Sequence, residues 1–98
     1  MNTYIMTCGF TRQGMQNIKE SPARVETAKK IVRELGGEVK TFYVVMGAAY
    51  DTVFILEAPS DEVVAGMALA ISSQGNVRTD THRVFTEEEF KKVIASLP

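Results

Sequence analysis

Few side chains in this sequence could do chemistry. His82 is the only histidine, and a lone imidazole can serve as a general base or a haem ligand. It sits in the run VRTDTHRVF, where strand alternation puts Arg78, Asp80 and His82 on one face as a compact polar cluster. A solvated edge strand has the same pattern, and that is the commoner meaning of such a run. Tyr50-Asp51 stands where a turn meets an apolar stretch. The pair reads either as hydrogen-bonding groups at the mouth of a binding space or as turn chemistry, since Asp favours turns and Tyr suits strands. Cys8, the single cysteine, lies within an apolar alternation and reads as a small buried hydrophobe before it reads as a nucleophile.

Several classes drop out. No second His, Cys or acidic ligand stands at metal spacing beside His82, so neither a metal nor another cofactor is expected. The seven glycines form neither a Walker loop nor a dinucleotide fingerprint. One cysteine excludes an internal disulfide and points to a reducing, cytoplasmic setting. Eleven basic and twelve acidic residues leave a net charge of -1 without a basic stripe, so no nucleic-acid partner is expected. The apolar runs are a few residues long, far short of a membrane span. The first ten residues, MNTYIMTCGF, lack the basic and long apolar regions of a signal peptide.

The elements that must position these residues can be read in order. Residues 3–10 form a first strand with Tyr4, Met6, Cys8 and Phe10 on one face. Met15 and Ile18 suit a short helical turn. Ser21-Pro22 reads as a capped helix start, followed by Val25, Ala28, Ile31, Val32 and Leu35 as the buried stripe and Gly36-Gly37 as the stop. A second strand over 39–46 has Phe42, Val44 and Met46 opposed to Val39, Tyr43 and Val45. A turn over 47–51 leads into a third strand, Val53-Phe54-Ile55-Leu56, ended by Pro59. Ser60 caps a second helix with Asp61 and Glu62 in its first turn and Val64, Met67, Ala68 and Ile71 inward. Residues 77–85 form a polar fourth strand, and Thr86 with Glu89 makes a capping box for a last helix carrying Phe90, Val93, Ile94 and Leu97.

The order βαββαβ predicts an α+β, ferredoxin-like domain over 1–98. Its four-stranded, antiparallel-type mixed sheet has both main helices on one face, plus a C-terminal helix. The first and third strands are central. The second and third strands are apolar on both faces, which normally means burial on both sides. The chain has only its last helix left to cover the open face. A second copy is the economical cover, so a homodimer or higher homo-oligomer is expected, with paired sheets enclosing a space.

The stretches TYIM, SPARVETAKK, FY leading to Gly47 and Tyr50-Asp51, EAPSDE and GNVRTDTHRVFTEEEF resemble the GYD domain family, a mostly prokaryotic family of unknown function. The resemblance spans about Thr3 to Val93. It implies an α/β sandwich similar to dimeric α/β-barrel proteins and carries over no catalytic residue. Here Ala48-Ala49 separates Gly47 from Tyr50-Asp51, which implies a longer or reshaped turn.

Three functions fit these features. The foremost is a small oligomeric module binding a small molecule between paired sheets. A cofactor-independent oxygenase or isomerase is the second, by fold-level analogy. A structural subunit with a filled interface is the third. A site is expected on the sheet face away from the helices, because the helix-covered face should be packed solid. The polar groups able to reach it are Tyr4, Tyr43, Tyr50, Asp51, Arg78 and His82.

Overall fold

The computed structural model describes residues 1–98. Its elements are β1 (Asn2–Phe10), α1 (Arg12–Gln16), α2 (Ser21–Glu34), β2 (Glu38–Val44), β3 (Thr52–Ala58), α3 (Asp61–Ser72), β4 (Val77–Val84) and α4 (Glu87–Ala95). A 3-10 turn, Ile18–Glu20, joins α1 to α2. The strands make one sheet ordered β2-β3-β1-β4, antiparallel at every pairing. This is the ferredoxin-like arrangement expected from the order of elements, with β1 and β3 central.

Burial alternates strictly along β3, as the two-residue period of a strand requires. Thr52, Phe54, Leu56 and Ala58 face the helices together with Tyr4, Met6 and Cys8 of β1. Onto them α2 lays Ala28 and Val32, and α3 lays Val64, Met67 and Ile71. The molecule is 18 Å across its shortest axis, enough for one sheet and one helix layer at the usual spacing of roughly 10 Å. The other sheet face is therefore bare.

Ser60 caps α3 as expected, its Oγ accepting from the Val63 N–H at 3.3 Å. Ser21 does not cap α2. It already has helical backbone angles (φ -55°, ψ -44°), and the 3-10 turn runs straight into the helix, so the boundary falls at Glu20 without a side-chain cap. Leu35 also leaves its expected place in the core. It is the residue on which α2 ends, and it is 43% exposed where the chain turns away at Gly36 (φ +86°). Met15 and Ile18 are exposed too. What anchors α1 is Gly14, where a Cβ would stand 2.1 Å from the Asn76 carbonyl oxygen.

Strand β2 is shorter than expected and irregular. Val39 pairs with Leu56 and Thr41 with Ile55, so the register slips at Lys40. This bulge puts Val39 and Phe42 on the helix side, where Phe42 meets Phe54 with ring centroids 4.8 Å apart, and turns Tyr43 to the bare side.

The last helix has the full capping box between Thr86 and Glu89. The Thr86 backbone N–H, then the Arg83 guanidinium, hold the Glu89 carboxyl below its ordinary range. No residue of α4 is buried, and Phe90 and Leu97 are 57% and 62% exposed. This helix is not packed down over the sheet.

Candidate functional site

The paired registers turn the bare face into rows that run straight across the sheet. One row is Tyr43, Val53, Thr7 and Asp80, and the next is Thr41, Ile55, Ile5 and His82. Neighbouring strands lie about 4.8 Å apart, so each row spans roughly 14 Å from edge to edge. The middle is a floor of Ile5, Val53 and Ile55, all half-buried with no element above them. The β2 rim carries Thr41 and Tyr43, and the β4 rim carries Arg78, Asp80 and His82. An apolar floor between polar margins suits a small molecule with an apolar body and polar ends.

On the β4 rim, His82 Nε2 lies 3.4 Å from Asp80 Oδ1, with both side chains mostly exposed. In water such a pair contributes little to stability. Arg78 lies over Gly9, where a Cβ would meet its Nη2 at 3.3 Å and Asp51 Oδ2 at 4.0 Å. The structure thus brings Arg78 and Asp51 to one end of the floor, while His82 sits two rows further along β4.

Asp51 is engaged three times. Its Oδ2 accepts from the Phe10 N–H at 2.8 Å, its N–H donates to the Cys8 carbonyl at 2.9 Å, and its carbonyl accepts from the Val45 N–H at 2.8 Å. It closes the end of β1 and the loop between β2 and β3, which is structural work. Tyr50 beside it is 37% exposed.

Tyr4 does not reach the bare face. Alternation puts it with Met6 and Cys8 under the helices, 2% exposed, where its hydroxyl donates to the Asp61 carboxylate. Burial, then that carboxylate, push its pKa up. Arg83 was visible in the sequence only as a neighbour of His82, yet alternation sends it to the opposite face. Its Nη2 contacts Glu89 Oε2 at 3.2 Å and Asn2 Oδ1 at 3.3 Å, its Nη1 bonds the Val84 carbonyl, and its guanidinium lies 4.6 Å from the Phe85 ring centroid. It ties α4 to the sheet. Close by, between α3 and β4, Thr81 Oγ1 is buried without a hydrogen-bond partner.

The helix-covered layer is not solid throughout, contrary to expectation. A cavity of ≈ 40 Å³ opens between α2, the C-terminal end of α3 and the sheet, with Cys8 among its walls. Small side chains are among its walls, Ala28 from α2 with Cys8 and Thr52 from the sheet, and longer ones would take up the space. No three His, Cys, Asp or Glu side chains come together as metal ligands, and no helix is long and apolar enough to cross a membrane.

The sequence profile of the GYD domain matches residues 4–94. No curated protein matches the sequence. Among solved structures, the chain is similar to the leucine response regulatory protein LrpA of Mycobacterium tuberculosis, at 19% identity and a TM-score of 0.64, over 87% of this chain and 51% of that one. It is also similar to a feast or famine regulatory protein from M. tuberculosis complexed with L-methionine, at 16% identity and a TM-score of 0.66, over 88% and 51%. The chain spans about half the length of these structures. Likeness at this level is a likeness of fold.

Proposed function

The chain belongs to the GYD domain family, and from that premise and its bare sheet face we propose a small-molecule-binding module acting as a homo-oligomer. One domain over 1–98 supplies half of the site, and the ligand lies between the sheets of two copies. The observation that carries this reading is the uncovered floor of Ile5, Val53 and Ile55 between the Thr41–Tyr43 and Arg78–His82 margins. Leaving such a floor in water forgoes about 25 cal/mol for each Å² of apolar surface, and pairing two copies recovers it. A partner also turns an open floor into an enclosed space. That one structure of similar fold is complexed with L-methionine supports a small ligand by analogy. Tyr43, Arg78 and His82 are the polar groups that reach the space, with Tyr50 and Asp51 at its end. A reducing, cytoplasmic setting goes with the single buried thiol.

Native mass spectrometry of freshly purified protein, with sedimentation at low micromolar concentration, tests this. The expected result is a dimer or a multiple of it, and Ile55→Glu should dissociate it while keeping the circular dichroism spectrum. A soluble monomer that retains no small molecule overturns the reading.

A further inference from the structure

On the opposite side of the sheet from that floor, the cavity beside Cys8 has the make-up of a site in its own right. Its inner walls are the buried side chains of Cys8, Ala28, Thr52, Phe54 and Ile71. Its rim is polar, formed by Ser21, Arg24, Gln74 and Asn76, all of them half-buried or exposed. Ser21 is free for this because it does not cap its helix. Arg24 is the decisive rim residue. Its Nη1 donates to the Asn17 carbonyl at 2.8 Å and its Nη2 to the Gly14 carbonyl at 3.1 Å, which fixes the guanidinium in place. Carbonyls do not neutralise it, however, and no carboxylate pairs with Arg24, whereas Arg83 has Glu89. A held, unneutralised guanidinium at the mouth of an apolar hollow selects an anion with an apolar tail.

We propose that this cavity is a binding site for a short-chain monocarboxylate. The carboxylate sits on the rim against Arg24, within reach of Ser21, Gln74 and Asn76, and the chain enters between Ala28 and Phe54. The volume of ≈ 40 Å³ limits that chain. A single water needs about 10–15 Å³, so the hollow takes about three such groups, the alkyl part of butyrate. The thiol of Cys8, raised in pKa chiefly by burial, forms part of the wall and stays protonated at neutral pH. The site is independent of oligomerisation, since every residue in it belongs to one chain.

Cys8 supplies the measurement. It is 2% exposed, so a small thiol reagent such as methyl methanethiosulfonate reaches it through the cavity, and intact mass reads the rate. With chloride matched at 50 mM, sodium butyrate at 50 mM should slow modification by about six-fold if it binds with a Kd of about 10 mM. Butyramide, of the same shape and uncharged, should protect much less. Arg24→Gln should abolish the protection by butyrate, and Ala28→Val, which fills the hollow without touching the rim, should itself slow the reagent and leave butyrate no further effect. If the thiol resists the reagent altogether, butyrate should instead shift the amide resonances of Ala28, Thr52 and Ile71 in a saturable way. Equal effects of butyrate and butyramide, or no effect of butyrate by either readout, overturn the proposal.

Discussion

Tyr4 on β1 donates its phenolic hydrogen to the Asp61 carboxylate in the first turn of α3, joining residues 57 positions apart. The bond fixes where α3 begins over the sheet, because Asp61 directly follows the Ser60 cap. The Asn2 side chain donates to the same hydroxyl at 3.2 Å, so the first strand and the second main helix share one polar clasp at the edge of the core.

Tyr4→Phe should destabilise the protein by about 1 kcal/mol, held to that size because Asp61 faces water. The buried hydroxyl also makes this contribution depend on pH, through burial first and the bond to Asp61 second. The folded protein binds the phenolic proton more tightly than the unfolded chain does, so the contribution is complete below about pH 10 and disappears as pH rises through the raised pKa. In urea titrations the advantage of the wild type over Tyr4→Phe should therefore shrink above pH 10. An advantage that stays constant with pH would contradict the raised pKa of Tyr4.

The two serines that look like helix caps should behave differently. Ser60→Ala removes the acceptor of the Val63 N–H and should cost about 1 kcal/mol. Ser21→Ala should be close to neutral, because Ser21 lies inside its helix with no capping bond to lose. Val32→Ala, 1% exposed at the centre of the same helix face, should cost about 2 kcal/mol through lost burial. Chemical denaturation of the three variants orders them directly, and equal losses at Ser21 and Ser60 would contradict the observed boundary.

Thr81→Val should stabilise. The Thr81 hydroxyl is buried without a partner, and valine keeps the shape and the strand preference while removing the desolvation cost, a gain of about 1 kcal/mol. A higher thermal midpoint with an unchanged spectrum checks it.

Local signals carried most of the fold. Ser60, the Thr86–Glu89 box and Gly36 each act through atoms a few residues away, so the sequence displays both the cause and the effect. The expected βαββαβ order follows from such marks. What escaped depends on partners distant in sequence. Ser21 looks like a cap until the preceding 3-10 turn is seen to continue into the helix. On β2 the expected faces set Val39 opposite Phe42, whereas the bulge at Lys40 inverts the alternation and brings both to the helix side. For the candidate site, alternation correctly grouped Arg78, Asp80 and His82, but it could not say that Tyr4 belongs to the other face. That follows only from its pairing with Leu56 and Arg83. The hollow beside Cys8 left no trace in the sequence, since side chains from β1, α2, β3, α3 and β4 make it.

The bulge at Lys40 also limits what can pair with the edge of the sheet. β2 is an outer strand of the sheet, and Tyr43 and Val44 on it are 60% and 70% exposed. Left regular, such a rail would template another chain's strand, and that one the next, building an endless ribbon. The extra residue breaks the spacing of the free N–H and C=O groups, and Lys40 stands at the break, 3.6 Å from Glu38 and 4.0 Å from Glu57. At that point the β2 edge is a poor template for a further strand, so the sheet carries its own guard against growth along the hydrogen-bonding direction there.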